Sequence, residues 1–264
     1  MKKKLAYFFM LVIIVSTVAF IFIKKQQSEK SKMVLLKNSN NELQLKIDEN
    51  QGEIDNLNTE IEELRERLDK AEEKNLEDLK IIDGLVLIED IDSSIIIDLR
   101  YATANNFTGQ VIYKEDICAL NFETAVKLKK ANESLKKLGY KIKILDGYRP
   151  KYAQKIFWSI CPDTRYVANP ATGDSHNTGC AVDVTLVDLE GNEIEMPSEF
   201  DDFSTKASRN NNEVTDVAKN NVDILTEAMV DAGFKTITTE WWHYNDVDIA
   251  KYQHKDAELK EFLE

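Results

Sequence analysis

The sequence predicts an α+β head, with helices packed on an antiparallel sheet, preceded by a transmembrane helix and a coiled-coil stalk. Three observations lead there. A run of nineteen uncharged residues lies near the N-terminus, a heptad pattern follows it, and short β-branched runs then mix with amphipathic stretches. The 264 residues carry 47 acidic and 34 basic side chains, a formal net charge of −13. That balance excludes a protein that grips a phosphate backbone, because such affinity comes from clustered Lys and Arg; no nucleic-acid partner is expected. Cys118, Cys161 and Cys180 lack CxxC spacing and are too few for a disulfide scaffold.

Residues 1–25 read as an N-terminal signal anchor. Leu5 to Ile23 carries no charge and is flanked by Lys2, Lys3, Lys4 and by Lys24, Lys25. At about 1.5 Å per residue this run spans close to the ~30 Å hydrocarbon core of a membrane. A cleaved signal peptide shares the basic start. The run is too long for a usual signal core, however, and Phe20-Ile21-Phe22-Ile23-Lys24 offers no small-residue cleavage site. Lysines on both flanks weaken the orientation signal. The reading adopted is a single-pass anchor in the cell membrane with its short N-terminus inside and the head extracytoplasmic.

Residues 26–80 read as the stalk. Ile47, Ile54, Ile61 and Leu68 fall at heptad position a, and Leu43, Leu57, Leu64 and Ala71 at d, with Asn40 and Asn50 as polar seam residues. Isoleucine at a with leucine at d favours a parallel two-stranded coil, and the flanking charges Glu60 with Arg65 and Arg67 with Glu72 suit pairing across it. A parallel homodimer is the expectation. The alternative is a solitary solvated helix, which Gly52 weakens locally.

Residues 82–264 form the head, long enough for one well-buried core. Leu85–Ile88 and Ile95–Leu99 predict strands from their β-branched content. Phe122 to Leu138 has helical periodicity and stops at Gly139; Lys141–Leu145 and Ala181–Val187 read as strands. Val214 to Ala232 predicts a second amphipathic helix closed by Gly233, after which Lys235–Thr239 leads into Glu240-Trp241-Trp242-His243-Tyr244.

Two of the three histidines stand in unusual company. His176 and Asp183 lie seven apart with Gly179 between them, and Glu240 and His243 lie three apart. If Ala181–Val187 is a strand, Asp183 points to one face, and a turn at Gly179 can bring His176 beside it. Two imidazoles and a carboxylate make a tridentate zinc set with a fourth position for water, and Glu240 is then the carboxylate that deprotonates that water. A pair of core or surface histidines is the bland alternative at this point.

The motif His176-x-x-Gly179-x-Ala181-x-Asp183, followed by Glu240-x-Trp242-His243, resembles the zinc signature of the metallopeptidases that include D-Ala-D-Ala carboxypeptidases and hedgehog domains. Asp98-Leu99-Arg100-Tyr101-Ala102-Thr103, Asn106-Phe107-Thr108-Gly109, Asp146-Gly147-Tyr148-Arg149-Pro150 and Asp183-Val184-Thr185-Leu186 are similar to one branch, the D-alanyl-D-alanine dipeptidases of the vancomycin-resistance type. The resemblance implies one Zn²⁺ held by His176, Asp183 and His243, Glu240 as general base, and Arg149 as the cation beside the oxyanion. It further implies Asp201 as holder of the substrate's free amine, with Tyr101 and Tyr113 lining that pocket.

This chain departs from the pattern at Asp174, where the family usually has Ser two residues before the first zinc histidine; Ser175, one residue before it, is taken as a substrate contact. Cys180 replaces a small or hydroxylic residue. The implied activity is zinc-dependent hydrolysis of D-alanyl-D-alanine, tied to cell-wall peptide metabolism. A D,D-carboxypeptidase trimming peptidoglycan stem peptides and a non-catalytic wall-binding scaffold are the rivals. The implied partners are a small D,D-dipeptide or a stem peptide, and the bacterial plasma membrane.

Overall fold

Heptad spacing and a lack of helix breakers give one unbroken helix, α1 (Lys2–Glu77), at the start of the chain. The computed structural model describes residues 2–77, 79–164 and 166–264, apart from the side chains of residues 2–9, 11–13 and 68–77. Two units are distinguished, Met1–Glu77 and Asp78–Glu264. In the first, Leu43, Ile47, Ile54, Leu57, Ile61 and Leu64 are 46–59% exposed, so a single chain leaves its seam open. Local pairs such as Gln44 with Asp48 and Arg65 with Glu62 support the helix from its polar side. Among the described residues no helix is long and apolar enough to cross a membrane. The anchor expected over Leu5 to Ile23 falls in part on residues 5–9 and 11–13, whose side chains lie outside the described residues.

The second unit has the expected α+β architecture. Its elements are β1 (Leu85–Leu87), α2 (Ile88–Ile91), β2 (Ile96–Ile97), β3 (Ala119–Asn121), α3 (Phe122–Lys136), β4 (Tyr140–Asp146), α4 (Lys151–Ile160), β5 (Ala181–Asp188), α5 (Asp216–Ala232), β6 (Phe234–Thr236) and β7 (His243–Asp246). Five strands form one sheet in the order β2-β4-β5-β7-β6, and β1 pairs with β3 apart from it. The sheet is antiparallel except at its edge, where β2 runs parallel to β4. Sequence periodicity does not announce β3 or β7, which are short, while α4 lies outside the expected elements although Tyr152, Ala153, Ile156, Phe157 and Ile160 follow a helical spacing.

Strand alternation sorts the sheet into two chemistries. Ile142, Ile144, Val182, Val184, Leu186 and Tyr244 share one face and join Leu128 and Leu135 of α3 and Leu225 and Met229 of α5 in a single apolar core. Lys143, Asp183, Thr185 and His243 share the other. Asp183 on β5 stands directly opposite His243 on β7, which brings two residues sixty apart into one register position. A register shift between Ile144 and Asp146 breaks the alternation at the end of β4 and sets Asp146 opposite Asp183. A bulge of this kind turns a side chain to the opposite face.

A second, smaller cluster stands behind the His176 turn. Leu85, Ala119, Tyr148, Ala257, Leu259 and Phe262 pack together, and the Tyr148 hydroxyl donates to the Ala257 carbonyl at 3.0 Å. The C-terminal segment also donates from the Lys255 amide to the Asn177 carbonyl at 2.7 Å, tying the chain end to the turn that carries His176.

Candidate metal centre and active site

His176 sits in a short 3₁₀ turn, Ser175–Thr178, whose start is capped by Asp174 accepting from the His176 amide at 2.9 Å. The turn ends at Gly179 with φ +72°, and a Cβ there would lie 2.5 Å from the Leu85 side chain. Both the left-handed backbone and the close approach demand glycine. The turn then runs into β5, as the spacing predicts.

His176 Nδ1 contacts the Gly147 carbonyl at 2.8 Å, which makes Nδ1 the protonated nitrogen and leaves Nε2 as the free donor. His176 Nε2 lies 3.2 Å from His243 Nδ1 and 3.4 Å from Asp183 Oδ1, and the last two are 2.9 Å apart. A tetrahedral ion about 2.0–2.1 Å from each donor requires donors about 3.3–3.4 Å apart. The triad is thus nearly of the right size, and all three residues are buried. Two imidazole nitrogens and one carboxylate oxygen are a donor set suited to Zn²⁺.

The charges in this cluster depend on each other. Burial opposes protonation of His176, but the Asp183 carboxylate outweighs it and raises the imidazole to about 9. Burial likewise opposes ionisation of Asp183, yet the His176 and His243 rings hold its carboxyl far below the usual range. Glu240 opens to the cavity with 28% of its side chain exposed and reaches His243 Nδ1 at 4.0 Å. Burial, followed by the Asp183 charge, raises its proton affinity.

Arg149 is buried beside the triad. Its Nε and Nη2 donate to Asp146 Oδ2 at 3.1 and 2.7 Å, and Nη1 donates to Gln154 Oε1 at 3.0 Å. Its guanidinium lies 5.0 Å from the Phe157 ring centre and 5.5 Å from that of Tyr101. Of five N–H groups three are spent on this frame, which leaves two for another acceptor. Asp174 Oδ2 stands 3.6 Å from Nη1, so this departure from the family pattern adds a carboxylate next to the cation.

These groups line one cavity of about 290 Å³. Ser175 and Asp174 line it next to His176 in the chain, and Asp201 and Tyr101 line it as well. The Tyr101 hydroxyl donates to Asp201 at 3.0 Å, and the Phe107 amide donates at 3.4 Å. Asp201 has φ +60°, an uncommon backbone for a non-glycine residue. Burial pushes its carboxyl up to about 7, against the Tyr101 hydrogen bond.

Tyr113 is not where the resemblance put it. Its ring packs edge-on to Tyr101 at 5.7 Å, but its hydroxyl turns behind the cavity wall and donates to Asp146 Oδ1 at 2.5 Å. Tyr113 therefore supports the carboxylate that holds Arg149 rather than lining the pocket. His254 is exposed and lies against Gly173, away from the triad, as a lone surface histidine should. Asp146, Gln154 and the Gly147 carbonyl were missed as site components. Asp146 lies in a motif with Arg149, but nothing local says that it is fully buried or that a tyrosine 33 residues earlier points at it.

A buried His-His-Asp triad with an adjacent free carboxylate and a fixed guanidinium defines a zinc metallopeptidase. The profile of the D-Ala-D-Ala dipeptidase family matches residues 82–261, and the chain belongs to that family. A D-alanyl-D-alanine dipeptidase of Escherichia coli is 34% identical over 173 residues, covering 66% of this chain and 88% of that protein. One of Enterococcus faecium is 31% identical over 182 residues, covering 61% and 90%. A solved structure of a vancomycin-resistance D,D-pentapeptidase with Zn(II) overlays at 17% identity and a TM-score of 0.34, covering 58% of this chain and 88% of that one.

Proposed function

We propose that the head hydrolyses D-alanyl-D-alanine, with His176, Asp183 and His243 as zinc ligands. The observation that carries this reading is the layout of the cavity. The triad, Glu240 and the half-buried carboxylate of Asp201 all line one cavity of about 290 Å³. That volume is at the small end for ligand sites. A site so small, with that acid in its wall, selects a substrate whose ammonium group lies one residue from the scissile bond.

When bound, zinc supplies Lewis-acid charge to the scissile carbonyl and acidifies water. Glu240 takes the proton of the attacking water and passes it to the leaving amine, and its raised proton affinity suits that exchange. The two uncommitted N–H groups of Arg149 face the carbonyl oxygen as it gains negative charge. Asp201, backed by Tyr101, receives the ammonium, and Ser175, which also lines the cavity, takes the carboxylate end. Assaying D-alanine release by the full chain from D-Ala-D-Ala and from a muramyl pentapeptide tests the reading. Turnover of the pentapeptide alone would replace it with a D,D-carboxypeptidase, and turnover of neither with a binding scaffold.

The same proposal places the protein in a bacterial cell membrane through residues 1–25, as a parallel homodimer through 26–80, with its head of 82–264 extracytoplasmic. Support comes from the uncharged Leu5–Ile23 run and from the Ile and Leu seam that a single chain leaves exposed. Protease added to intact spheroplasts should release an active fragment beginning near Asp83. A head protected until the membrane is broken would put it in the cytoplasm.

A further inference from the structure

The general base lies in an irregular segment, the six residues 237–242 between β6 and β7, and the third zinc ligand, His243, is the first residue of β7 directly after it. Carbonyls of such a segment have no strand ladder to satisfy them, and a partly buried turn needs donors from elsewhere. One residue supplies most of them, beside the Ser208 hydroxyl on the Thr238 carbonyl and the Val184 amide on the Trp242 carbonyl. Arg209 donates from Nε to the Ile237 carbonyl at 3.1 Å, and from Nη2 to the Trp241 carbonyl at 2.5 Å and the His243 carbonyl at 3.5 Å. Its own amide donates to the Thr238 carbonyl at 3.0 Å. The guanidinium is fixed in turn: Nη1 donates to Thr226 Oγ1 on α5 at 2.8 Å, and the group stacks 4.7 Å from the Tyr244 ring centre.

We infer that Arg209 is a positioning residue for catalysis, which sets the place of Glu240 and His243 through the backbone on both sides of Glu240. Its bonds to residues 237, 241 and 243 bracket Glu240. Asp201 and Tyr101 are held by other bonds, none of which involves Arg209 or residues 237–243. Loss of Arg209 should therefore disturb the chemical step and leave substrate capture nearly intact. A planar fork is required, since an ammonium on a flexible stem cannot reach several carbonyls in fixed directions at once.

The test uses the full chain as Arg209→Lys, measured for thermal midpoint, zinc affinity by chelator competition, and kcat and KM on D-Ala-D-Ala. The expected result is a folded protein whose kcat falls about hundredfold, the usual cost of a misplacement near 1 Å, with KM changed less than about threefold. Zinc affinity should fall as His243 loosens, and the visible bands of the cobalt-loaded variant should shift from those of the parent. A folded Arg209→Lys with parental kcat, zinc affinity and cobalt spectrum overturns the inference, as does a rise in KM at constant kcat. Should Arg209→Lys fail to fold, Thr226→Val decides. It keeps the arginine but removes one of its anchors, and should lower kcat several-fold with KM steady, whereas an unchanged kcat overturns the inference. The inference rests on the peptidase reading, which stands or falls separately on turnover by the unmodified chain. The cobalt spectrum and the zinc affinity report on Arg209 whatever the substrate.

Discussion

Two carboxylates line the cavity, the buried Asp183 and the half-buried Asp201, and their surroundings treat them in opposite ways. At the metal site Asp183 lies 2.9 and 3.4 Å from two imidazoles, and its carboxyl is held far below the usual range. Asp201 has for company a tyrosine hydroxyl and one backbone amide, neither of them charged, and it rises to about 7. Burial penalises both acids; only the first has cationic neighbours that overcome it. The metal site is thus organised by the protein's own groups. Asp201 is a half-buried acid with no cation in hydrogen-bonding contact, which suits the proposed capture of a substrate ammonium. Rigid chemistry around one carboxylate and an unfilled electrostatic demand at the other is how a small site couples recognition to hydrolysis.

Substitutions at the metal site should break that contrast most severely. His176→Ala removes one of three ligands and should abolish both zinc retention and turnover, which metal analysis of the purified chain checks directly. Wild-type zinc in that variant would refute the ligand set. Glu240→Ala leaves the triad intact, so zinc should remain at one per chain while kcat falls about 10²–10⁴-fold, the usual contribution of a positioned proton-transfer group.

The Asp201 side should respond in KM instead. Asp201→Asn should raise KM for the dipeptide about ten- to hundredfold, from loss of a charge-assisted contact, and should relax rejection of the N-acetyl dipeptide. An unchanged ratio of free to acetylated substrate would assign Asp201 to structure. The pH profile sharpens the point. With its carboxyl raised to about 7, Asp201 is ionised above that value and protonated below it, so kcat/KM for the free enzyme should decline as pH falls through that region. The limb should vanish in Asp201→Asn. Bound zinc offsets the Asp183 contribution, but burial is the larger cause and keeps the limb above the ordinary carboxylate range. The smallest effect is expected from Tyr101→Phe. It removes the hydrogen bond that favours the ionised form, shifting the limb to higher pH and raising KM about two- to tenfold.

The helical stretches and central strands were legible because their signal is local. Phe122–Lys136 and Asp216–Ala232 follow from apolar spacing and from the glycines after them, and Ala181–Asp188 from its β-branched run. The helix α4 does carry a helical spacing of apolar residues from Tyr152 to Ile160, whereas the short strands β3 and β7 carry too few residues for any period to show, and are stabilised by what they pack on. The parallel edge made by β2 was likewise out of reach, since Ile96 and Ile97 say nothing of the direction of their neighbour.

Within the site the same division holds. Residue type, a glycine turn ahead of a strand and the family resemblance single out the proposed metal donors in the sequence, while the register of β5 with β7 sets Asp183 opposite His243. Residues that act by holding others could not be singled out so. Tyr113 reaches Asp146 across 33 residues, Tyr101 reaches Asp201 across 100, and Arg209 reaches the carbonyls around Glu240 across about thirty. A hydrogen bond between distant groups leaves no periodic trace in the chain. The sequence by itself therefore determined which side chains bear the chemistry, through residue type and local spacing. Only the tertiary structure decided which buried polar groups satisfy one another, because that depends on strand register, on the bulge at Asp146 and on the closure of loops whose ends are set by the whole core.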